Sequence, residues 1–505
     1  LEIQDLLLLD HSSQKLITGD ADLDLKNGIS ISAGEISSTG GSVSISNSTS
    51  LKGGAISISS GTFALGGEFT KSGGNLDLND VTLSLLSDLQ WSSDSLLDIS
   101  FLALNDKALI LGDQFSDLKI VNPLSLDHPN EKLISGDADL EISASVTIGD
   151  GELSSNGGEV IFEEGIHLDG GKLEILNSIL KVGVHFNKTV GTVLLNGTTL
   201  GLLSDLSITS DSLLSIGSLE LNESSLTLES DDTDLAIGQL LLLDDPNQKL
   251  ISGTADVDLN KGVDISAGEI SSASGTFSIN GSSKFSGGMI SLASGTFALG
   301  GDFTKNGGTL LLEDITLSLL SDLQWTCNSL LEINQLELNN LALTLGSESS
   351  DLKVNNPLIL DQINEKLISG AADLELNELL SISSGELSSS GGEIRLNNGL
   401  DISGGKVEFL NSSLLIGSEL GSQVSLIQSG GSLLADTSSL QLIQNLILQS
   451  IEGFSFQSLD LNSRELSLAS ETSSLSLKEK LIFDLVSEKI DTGSADLRLE
   501  GGIQM

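Results

Sequence analysis

The stretch Lys15–Leu25, KLITGDADLDL, returns four times along the chain. The later copies are KLISGDADLEI from Lys132, KLISGTADVDL from Lys249, KLISGAADLEL from Lys366 and KIDTGSADLRL from Lys489. The steps 132 − 15, 249 − 132 and 366 − 249 are each 117 residues, and 489 − 366 is 123. A phrase that returns at a nearly constant step indicates a repeat array, in which each unit contacts its neighbours.

The repeat divides the chain into four units and a fragment, all predicted to belong to one continuous solenoid over residues 1–505. The fifteen residues from Ser60, SGTFALGGEFTKSGG, return from Ser294 as SGTFALGGDFTKNGG, and GELSSNGGE from Gly151 returns from Gly385 as GELSSSGGE. The shifts 294 − 60 = 234 and 385 − 151 = 234 are equal, so the order of the units is A-B-A-B. The predicted units are 1–117, 118–234, 235–351 and 352–474, followed by a partial fifth unit, 475–505.

Within a unit, apolar residues occupy every second position, as in Leu23–Leu25 and Ile29–Ile31, which is the periodicity of a β-strand. The pattern recurs at steps of 16 to 22 residues, so six turns of 19–20 residues are predicted to fill 117 residues. Asn, Asp and Gly separate the predicted strands, at Lys26–Gly28, Asn79–Asp80 and Asn105–Asp106. These residues tolerate the left-handed backbone that tight turns require.

Short strands in coils of constant length predict an all-β fold, a right-handed parallel β-solenoid (β-helix) with about 19–20 residues per rung and no significant helix. Each coil buries its apolar face only by stacking on the next. Roughly 26 coils at the strand spacing of about 4.8 Å predict a rod of about 120 Å. Leucine-rich repeats have a similar period, but their fixed Asn or Cys position does not recur in every rung here.

Composition limits the classes of partner. The formal charge of −48 argues against nucleic acid and against an anionic membrane surface, because both bind clustered Lys and Arg. No apolar run reaches the roughly 18 residues that span a bilayer, so membrane insertion is not expected. Cys327 is the only cysteine, which excludes an internal disulfide and favours a small buried residue. Trp91 and Trp325 are separated by the same shift, 325 − 91 = 234, and indicate a shared packing role, with sugar stacking as the alternative.

The Gly-Gly-punctuated rungs, such as GGAISISSGTFALGGEFTKSGGNLDL from Gly53, resemble those of large bacterial surface exoproteins and adhesins of the filamentous-haemagglutinin kind. The resemblance lies in the general pattern of the rungs and extends over the whole chain. It carries over no binding motif. It implies a secreted or surface-displayed rod used for adhesion, spacing or filament building, in an extracellular or cell-surface location. The partners it implies are further copies of the chain, in end-to-end or lateral contacts, and surface glycans or a neighbouring or host cell.

The acidic residues of the repeated phrase are the candidate site. Alternation places Leu23 and Leu25 inward, so the neighbouring carboxylates face outward. Clustered carboxylates are the ligands that Ca²⁺ prefers, although the glycine-rich Ca²⁺-binding nonapeptide of other β-rolls is absent. A charge of −48 along the predicted rod is one per about 2.5 Å, near the charge density of duplex DNA, and must gather counterions. A solvated face is the alternative. The divalent-cation candidates are Asp20, Asp22, Asp137, Asp139, Asp256 and Asp258.

We therefore expect a structural extracellular rod without enzymatic activity or a required cofactor, with Ca²⁺ at most as a counterion. It is either a section of a large repetitive adhesin or exoprotein, or a subunit of a filament that assembles by end-to-end stacking. The alternative is a polysaccharide-binding or polysaccharide-cleaving β-helix protein. Within the rod, the phrase that begins at Lys15 is predicted to be a corner followed by a core strand, on the same face in every unit.

Overall fold

The computed structural model describes residues 1–78, 80–421 and 423–504. These residues make about 25 turns of parallel β-solenoid, with 57% of residues in strands and no helix. The predicted all-β parallel β-solenoid without helix is therefore confirmed, and its right-handed sense stays a prediction. No described helix has the length and apolar character to cross a membrane.

The chain forms two compact units, Leu1–Leu241 with Asn247–Val257, and Leu242–Pro246 with Asp258–Met505. Strands β30 (Leu241–Leu243) and β32 (Val257–Leu259) lie at unit boundaries. The single continuous solenoid over 1–505 stays a prediction. The other strands of the first unit are β1 Glu2–Ile3, β2 Leu7–Leu9, β3 Lys15–Gly19, β4 Leu23–Leu25, β5 Ile29–Ile31, β6 Glu35–Ser38, β7 Ser42–Ile45, β8 Thr49–Leu51, β9 Ala55–Ile58, β10 Gly61–Lys71, β11 Asn75–Leu78, β12 Val81–Ser93, β13 Leu97–Ile99, β14 Phe101–Ala103, β15 Ala108–Leu111, β16 Leu118–Ile120, β17 Leu124–Leu126, β18 Lys132–Gly136, β19 Leu140–Ile142, β20 Val146–Ile148, β21 Glu152–Asn156, β22 Glu159–Phe162, β23 Gly165–Leu176, β24 Ile179–Val182, β25 His185–Leu202, β26 Leu206–Thr209, β27 Leu214–Glu220, β28 Ser225–Leu228, β29 Leu235–Ile237 and β31 Lys249–Gly253.

The second unit continues the same strand pattern. Its strands are β33 Val263–Ile265, β34 Glu269–Ser272, β35 Thr276–Ile279, β36 Ser283–Phe285, β37 Met289–Leu292, β38 Gly295–Leu299, β39 Phe303–Lys305, β40 Thr309–Leu312, β41 Ile315–Leu319, β42 Leu323–Cys327, β43 Leu331–Ile333, β44 Gln335–Glu337, β45 Ala342–Leu345, β46 Leu352–Val354, β47 Leu358–Leu360, β48 Lys366–Gly370, β49 Leu374–Leu376, β50 Leu380–Ile382, β51 Glu386–Ser390, β52 Glu393–Leu396, β53 Leu400–Ile402, β54 Lys406–Leu410, β55 Ser413–Ile416, β56 Gln423–Gln428, β57 Ser432–Leu434, β58 Ser439–Leu442, β59 Asn445–Ser450, β60 Phe454–Phe456, β61 Ser458–Asp460, β62 Glu465–Leu468, β63 Leu475–Leu477, β64 Leu481–Ile482, β65 Lys489–Asp491, β66 Leu497–Leu499 and β67 Ile503–Gln504.

Each turn carries three strands, one on each of three sides, and strands of successive turns pair in parallel. In the first unit, one side is β1–β4–β7 and continues through the first halves of β10 and β12 to β14. The second side is β2–β5–β8, the second halves of β10 and β12, and then β15, β18 and β21. The third side begins β3–β6–β9–β11. The strands β10 and β12 are long because each passes around a corner from one side to the next.

The core of each unit is built from the inward half of this alternation. Leu23 and Leu25 are buried, and Leu23 stacks on Val43, which stacks on Phe63. Each fully buried aliphatic or aromatic side chain contributes about 1.5–3 kcal/mol relative to an exposed one. Repetition of this contact in every turn holds the solenoid together.

The aromatic residues extend the core stacks. Trp91 stacks on Phe69 with ring centroids 3.8 Å apart, and Trp325 stacks on Phe303 at 4.4 Å. Both tryptophans are fully buried, so the predicted packing role is confirmed. Cys327 is buried as well, as predicted.

The predicted turn residues occupy the corners. Asn105 and Asp106 both have left-handed backbone, with φ of 53° and 62°, and the Asn105 side-chain amide donates to the carbonyl oxygen of Leu85 in the preceding turn. At Gly54, φ is 69°, and an added Cβ would clash with the carbonyl oxygen of Gly34. Of the predicted turn at Asn79–Asp80, Asp80 has φ of 49°, whereas Asn79 lies outside the described residues.

The length of a turn agrees with the prediction, but the number of turns per repeat does not. Paired residues such as Leu23, Val43 and Phe63 are 20 apart. Other turns are longer: Leu109 pairs with Leu133, at a step of 133 − 109 = 24. The phrase strands β31 and β48 are 48 − 31 = 17 strands apart, which at three strands per turn is five and two-thirds turns in one repeat. The expected six turns per unit was wrong because residues added at corners lengthen some turns.

The missing third of a turn moves the repeated phrase to another side. In the first unit, β3 begins the side β3–β6–β9–β11, whereas β18 pairs with β15 on the side that begins at β2. In the second unit, β48 follows β45 on one side, and β65 follows β62 on another side, which begins at β47. The prediction that the phrase marks the same face in every unit is therefore corrected: it advances by two-thirds of a turn per repeat.

Candidate functional site

The first two candidate carboxylates lie at one corner of the first unit and bond to the next turn. Asp20 Oδ1 accepts a hydrogen bond from Thr39 Oγ1 at 2.7 Å. Asp22 Oδ1 accepts one from the backbone N–H of Ser42 at 2.8 Å. Both aspartates are exposed, as predicted, but one oxygen of each is already used to join two turns.

The later copies repeat this bond and extend it. Asp139 Oδ1 accepts from the backbone N–H of Glu159 at 2.8 Å, and the Asp139 N–H donates to Asp117 Oδ1 at 3.0 Å. In the second unit Asp373 does the same, accepting from Glu393 at 2.7 Å and donating to an aspartate one turn earlier. The aspartate of the phrase is therefore a corner residue that links three successive turns.

The remaining candidates are exposed. Asp137 lies beside Gly157, where an added Cβ would come within 2.8 Å of Asp137 Oδ1. Asp256 donates its backbone N–H to Asp234 Oδ1 at 2.9 Å, which matches the bond between Asp139 and its partner. Asp258 is exposed at the start of the second unit.

The six candidates do not converge on one position. Asp22 precedes β4, on the side that begins at β1, whereas Asp139 precedes β19, on the side that runs β13–β16–β19–β22. Among the described residues, no group of three or more His, Cys, Asp or Glu side chains is placed to hold a metal ion. Cation binding at single corners stays a prediction.

The lysine of the phrase belongs to a column of alternating charges. Glu152 accepts from Lys132 at 2.7 Å and from Lys172 at 3.2 Å, and Lys172 also pairs with Glu174 at 2.6 Å. The hydrogen bond from Lys132 lowers the pKa of Glu152 below its usual 4.5, although partial burial opposes the shift. The same column recurs in the second unit around Glu386. At Lys15, Lys132 and Lys366 the lysine of the phrase is thus explained by an ion pair to the following turn, whereas Lys489 pairs with Glu465 of the preceding turn.

Three buried lysines were missed by the sequence analysis. Lys71, Lys188 and Lys305 occupy equivalent repeat positions, with 188 − 71 = 305 − 188 = 117, and are only 8%, 5% and 6% exposed. Lys71 forms an ion pair with Asp94, and Lys188 forms one with Asp211. The sequence carried one signal for this burial. Lys71 lies two positions after the inward Phe69, so both side chains are on the same side of the strand.

An asparagine ladder in the second unit was missed as well. Successive side chains donate from Nδ2 to the Oδ1 of the residue one turn earlier, at distances of 2.7, 3.4, 2.6 and 2.7 Å. Such ladders stabilise stacked strands by repeating one hydrogen bond from layer to layer. The signal in the sequence is an Asn that recurs once per turn. The ladder comprises Asp314, Asn334, Asn355, Asn377 and Asn397.

Comparison of the chain with protein-family models, curated proteins and solved structures found no match.

The roles of the polar residues are therefore inferred from their own contacts. One groove of about 460 Å³ in the first unit brings together Asp77, Asp80 and Asp98 with the apolar side chains of Leu76 and Leu97. A concave surface that combines a few polar groups with apolar side chains is the usual form of a site for a small organic ligand, such as a sugar. The corners and the Lys–Glu columns, in contrast, use their polar atoms to bond one turn to the next.

Proposed function

We propose that the chain is a structural spacer on the outside of a cell, a section of a large repetitive surface exoprotein or adhesin. The observation that carries the proposal is the use of the repeated polar residues. Asp22, Asp139 and Asp373 each accept a backbone N–H of the following turn, and Lys132 pairs with a glutamate of the following turn. What repetition preserves along this chain is therefore turn-to-turn bonding, which is what a spacer needs.

The extracellular or cell-surface location rests on two features. The Gly-Gly-punctuated rungs resemble bacterial surface exoproteins. The charge of −48 keeps long repetitive surfaces apart from one another and from anionic envelopes, because like charges repel. Divalent cations are the expected counterions, and further copies of the chain are the expected partners where these cations screen the repulsion.

Removal of whole repeats tests the proposal. The chain is placed between a surface anchor and a fluorescent binding module, and the height of the module is measured by interference microscopy. Deletion of residues 118–351, two repeats at five and two-thirds turns per repeat, removes about 34/3 turns and is expected to lower the module by about 54 Å at about 4.8 Å per turn. An unchanged height contradicts the spacer, and fibres formed by the purified chain favour a filament subunit instead.

The groove with Asp77, Asp80 and Asp98 favours polysaccharide binding as a second candidate. Polysaccharide binding is measured on a glycan array, with the purified chain and its Asp98→Ala variant probed side by side. Binding that the substitution abolishes supports this function, and release of reducing ends from a bound glycan makes the chain an enzyme. Equal signals from both proteins contradict it.

A further inference from the structure

One corner of the second unit departs from its equivalents in the first. Residues 94, 211 and 328 are 117 apart and lie beside the buried lysines Lys71, Lys188 and Lys305. The first two are aspartates in ion pairs with their lysines. The third is Asn328, so the described partners of Lys305 are neutral: Asn328 Oδ1 at 3.1 Å and Ser329 Oγ at 3.4 Å.

Lys305 is in a costly position. It is 6% exposed, and a buried ammonium without a carboxylate partner loses hydration that neutral acceptors replace only in part. The same site in the first unit favours a carboxylate: the hydrogen bond from Lys188 lowers the pKa of Asp211. A change from amide to carboxylate at residue 328 would therefore give the second unit the ion pair that the first unit has twice.

The contacts of Asn328 also activate its amide for that change. The ammonium of Lys305 donates to Oδ1, the oxygen on which negative charge develops when a nucleophile attacks Cγ. Asn328 Nδ2 donates to the carbonyl oxygen of Asn306 at 3.2 Å, which holds the amide in this orientation. The residue is exposed in a bend, so water reaches it.

We propose that Asn328 is a site of spontaneous deamidation, promoted by Lys305, that converts the corner to an Asp–Lys ion pair. Oxygen of water bonds to Cγ, one proton of that water passes to Nδ2, the Cγ–Nδ2 bond breaks, and Nδ2 leaves as ammonia. The proton of the resulting carboxyl group passes to solvent. The reaction consumes only water and needs no oxidant or cofactor.

Peptide mapping by mass spectrometry during incubation at neutral pH tests the proposal. Deamidation adds about 1 Da, and fragment ions place it at residue 328. The matched control within the chain is Asn47, which is also exposed, in a bend and followed by an exposed serine, with its amide hydrogen bonds directed to Lys26 O and Asn27 Oδ1. One donor at a developing oxyanion is worth roughly 10²–10³-fold in a site that excludes water. Because Asn328 is exposed, a smaller effect of about tenfold over Asn47 is expected.

The substitution Lys305→Gln isolates the role of the ammonium. In the fourth sequence repeat, residues 352–474, the equivalent position holds Gln428, which is also buried. The fold therefore accepts a glutamine side chain at this position. In the Lys305→Gln variant, Asn328 is expected to deamidate no faster than Asn47. The substitution Asn328→Asp is expected to raise the melting temperature when residue 305 is lysine and to leave it unchanged when residue 305 is glutamine.

Three results overturn the proposal. One is equal rates at Asn328 and Asn47. Another is a rate at Asn328 that Lys305→Gln leaves unchanged. The last is a loss of about 17 Da that joins residues 305 and 328, which is a lysine–asparagine cross-link formed with loss of ammonia.

Discussion

Substitution of Asn377 by alanine interrupts the asparagine ladder at its best-bonded member. Asn377 donates to Asn355 Oδ1 at 2.6 Å and accepts from Asn397 Nδ2 at 2.7 Å. A half-buried amide–amide bond contributes about 0.5–1.5 kcal/mol net, so the loss of two is expected to lower the unfolding free energy of the second unit by about 2 kcal/mol. Asn397 keeps a bond to Glu375 at 3.2 Å, which limits the loss.

The buried tryptophans allow this loss to be measured in one unit at a time. In a Trp91→Phe background, Trp325 reports the second unit alone, since the sequence contains two tryptophans. With a denaturant slope of about 5 kcal/mol/M in guanidinium chloride, a loss of about 2 kcal/mol moves the midpoint by about 0.4 M. The matched control is Ser143→Ala, read from Trp91 in a Trp325→Phe background. Ser143 is equivalent to Asn377, and its side chain makes no hydrogen bond within the described part of the chain.

The ladder is refuted as a source of stability if Asn377→Ala and Ser143→Ala move their midpoints equally. A double-mutant cycle with Asn397→Ala provides the second criterion. Because Asn377 and Asn397 share a bond, the two losses are expected to be less than additive by about 1 kcal/mol. Full additivity would show that the two side chains act independently and that the bond contributes nothing.

Three further changes have defined outcomes. Lys132 and Lys172 lower the pKa of Glu152, so the stabilising contribution of Glu152 is present above the unfolded pKa near 4.5 and is lost as pH falls through the folded pKa. The difference in urea midpoint between the wild type and Glu152→Gln should therefore shrink on acidification. A difference that stays constant with pH contradicts the ion pair. The charge of −48 predicts that millimolar Ca²⁺ raises the melting temperature by a few degrees over EDTA, and identical melting curves remove the counterion prediction. Deletion of residues 118–234 removes one whole repeat, so every remaining strand keeps an equivalent neighbour, and thermal unfolding should stay cooperative. Deletion of 118–217 removes only part of a repeat and should abolish the cooperative transition.

The fold was predictable because two periods in the sequence have direct physical meanings. Alternation of apolar residues such as Leu23 and Leu25 specifies strands, and the step 43 − 23 = 20 specifies the coil that brings Val43 onto Leu23. The number of turns per repeat was not predictable in the same way. It depends on how many strands a turn holds, and the repeat step of 132 − 15 = 117 lies close enough to six turns of 20 to hide the missing third.

The candidate site was predictable in position and not in role. Outward carboxylates at Asp20 and Asp22 follow from alternation alone. Their partners do not, because the N–H of Ser42 is available only after the strand register sets which corner faces which. Lys71 shows the opposite case. Its position two residues after Phe69 indicated an inward side chain, but lysine is rarely buried, and its partner Asp94 is known only from the fold.

The advance of the phrase by two-thirds of a turn bears directly on the proposed function. A binding surface along one side would need its residues at different repeat positions in successive units, since a residue carried once per repeat moves to another side. Neighbour contacts have no such requirement: the phrase strands β18, β48 and β65 pair with β15, β45 and β62, which are themselves equivalent. Repetition of sequence in this chain therefore keeps the neighbours of each strand constant and leaves its side free to change. That combination supports a structural role, because stacking requires constant neighbours and a one-sided ligand site would require a constant side.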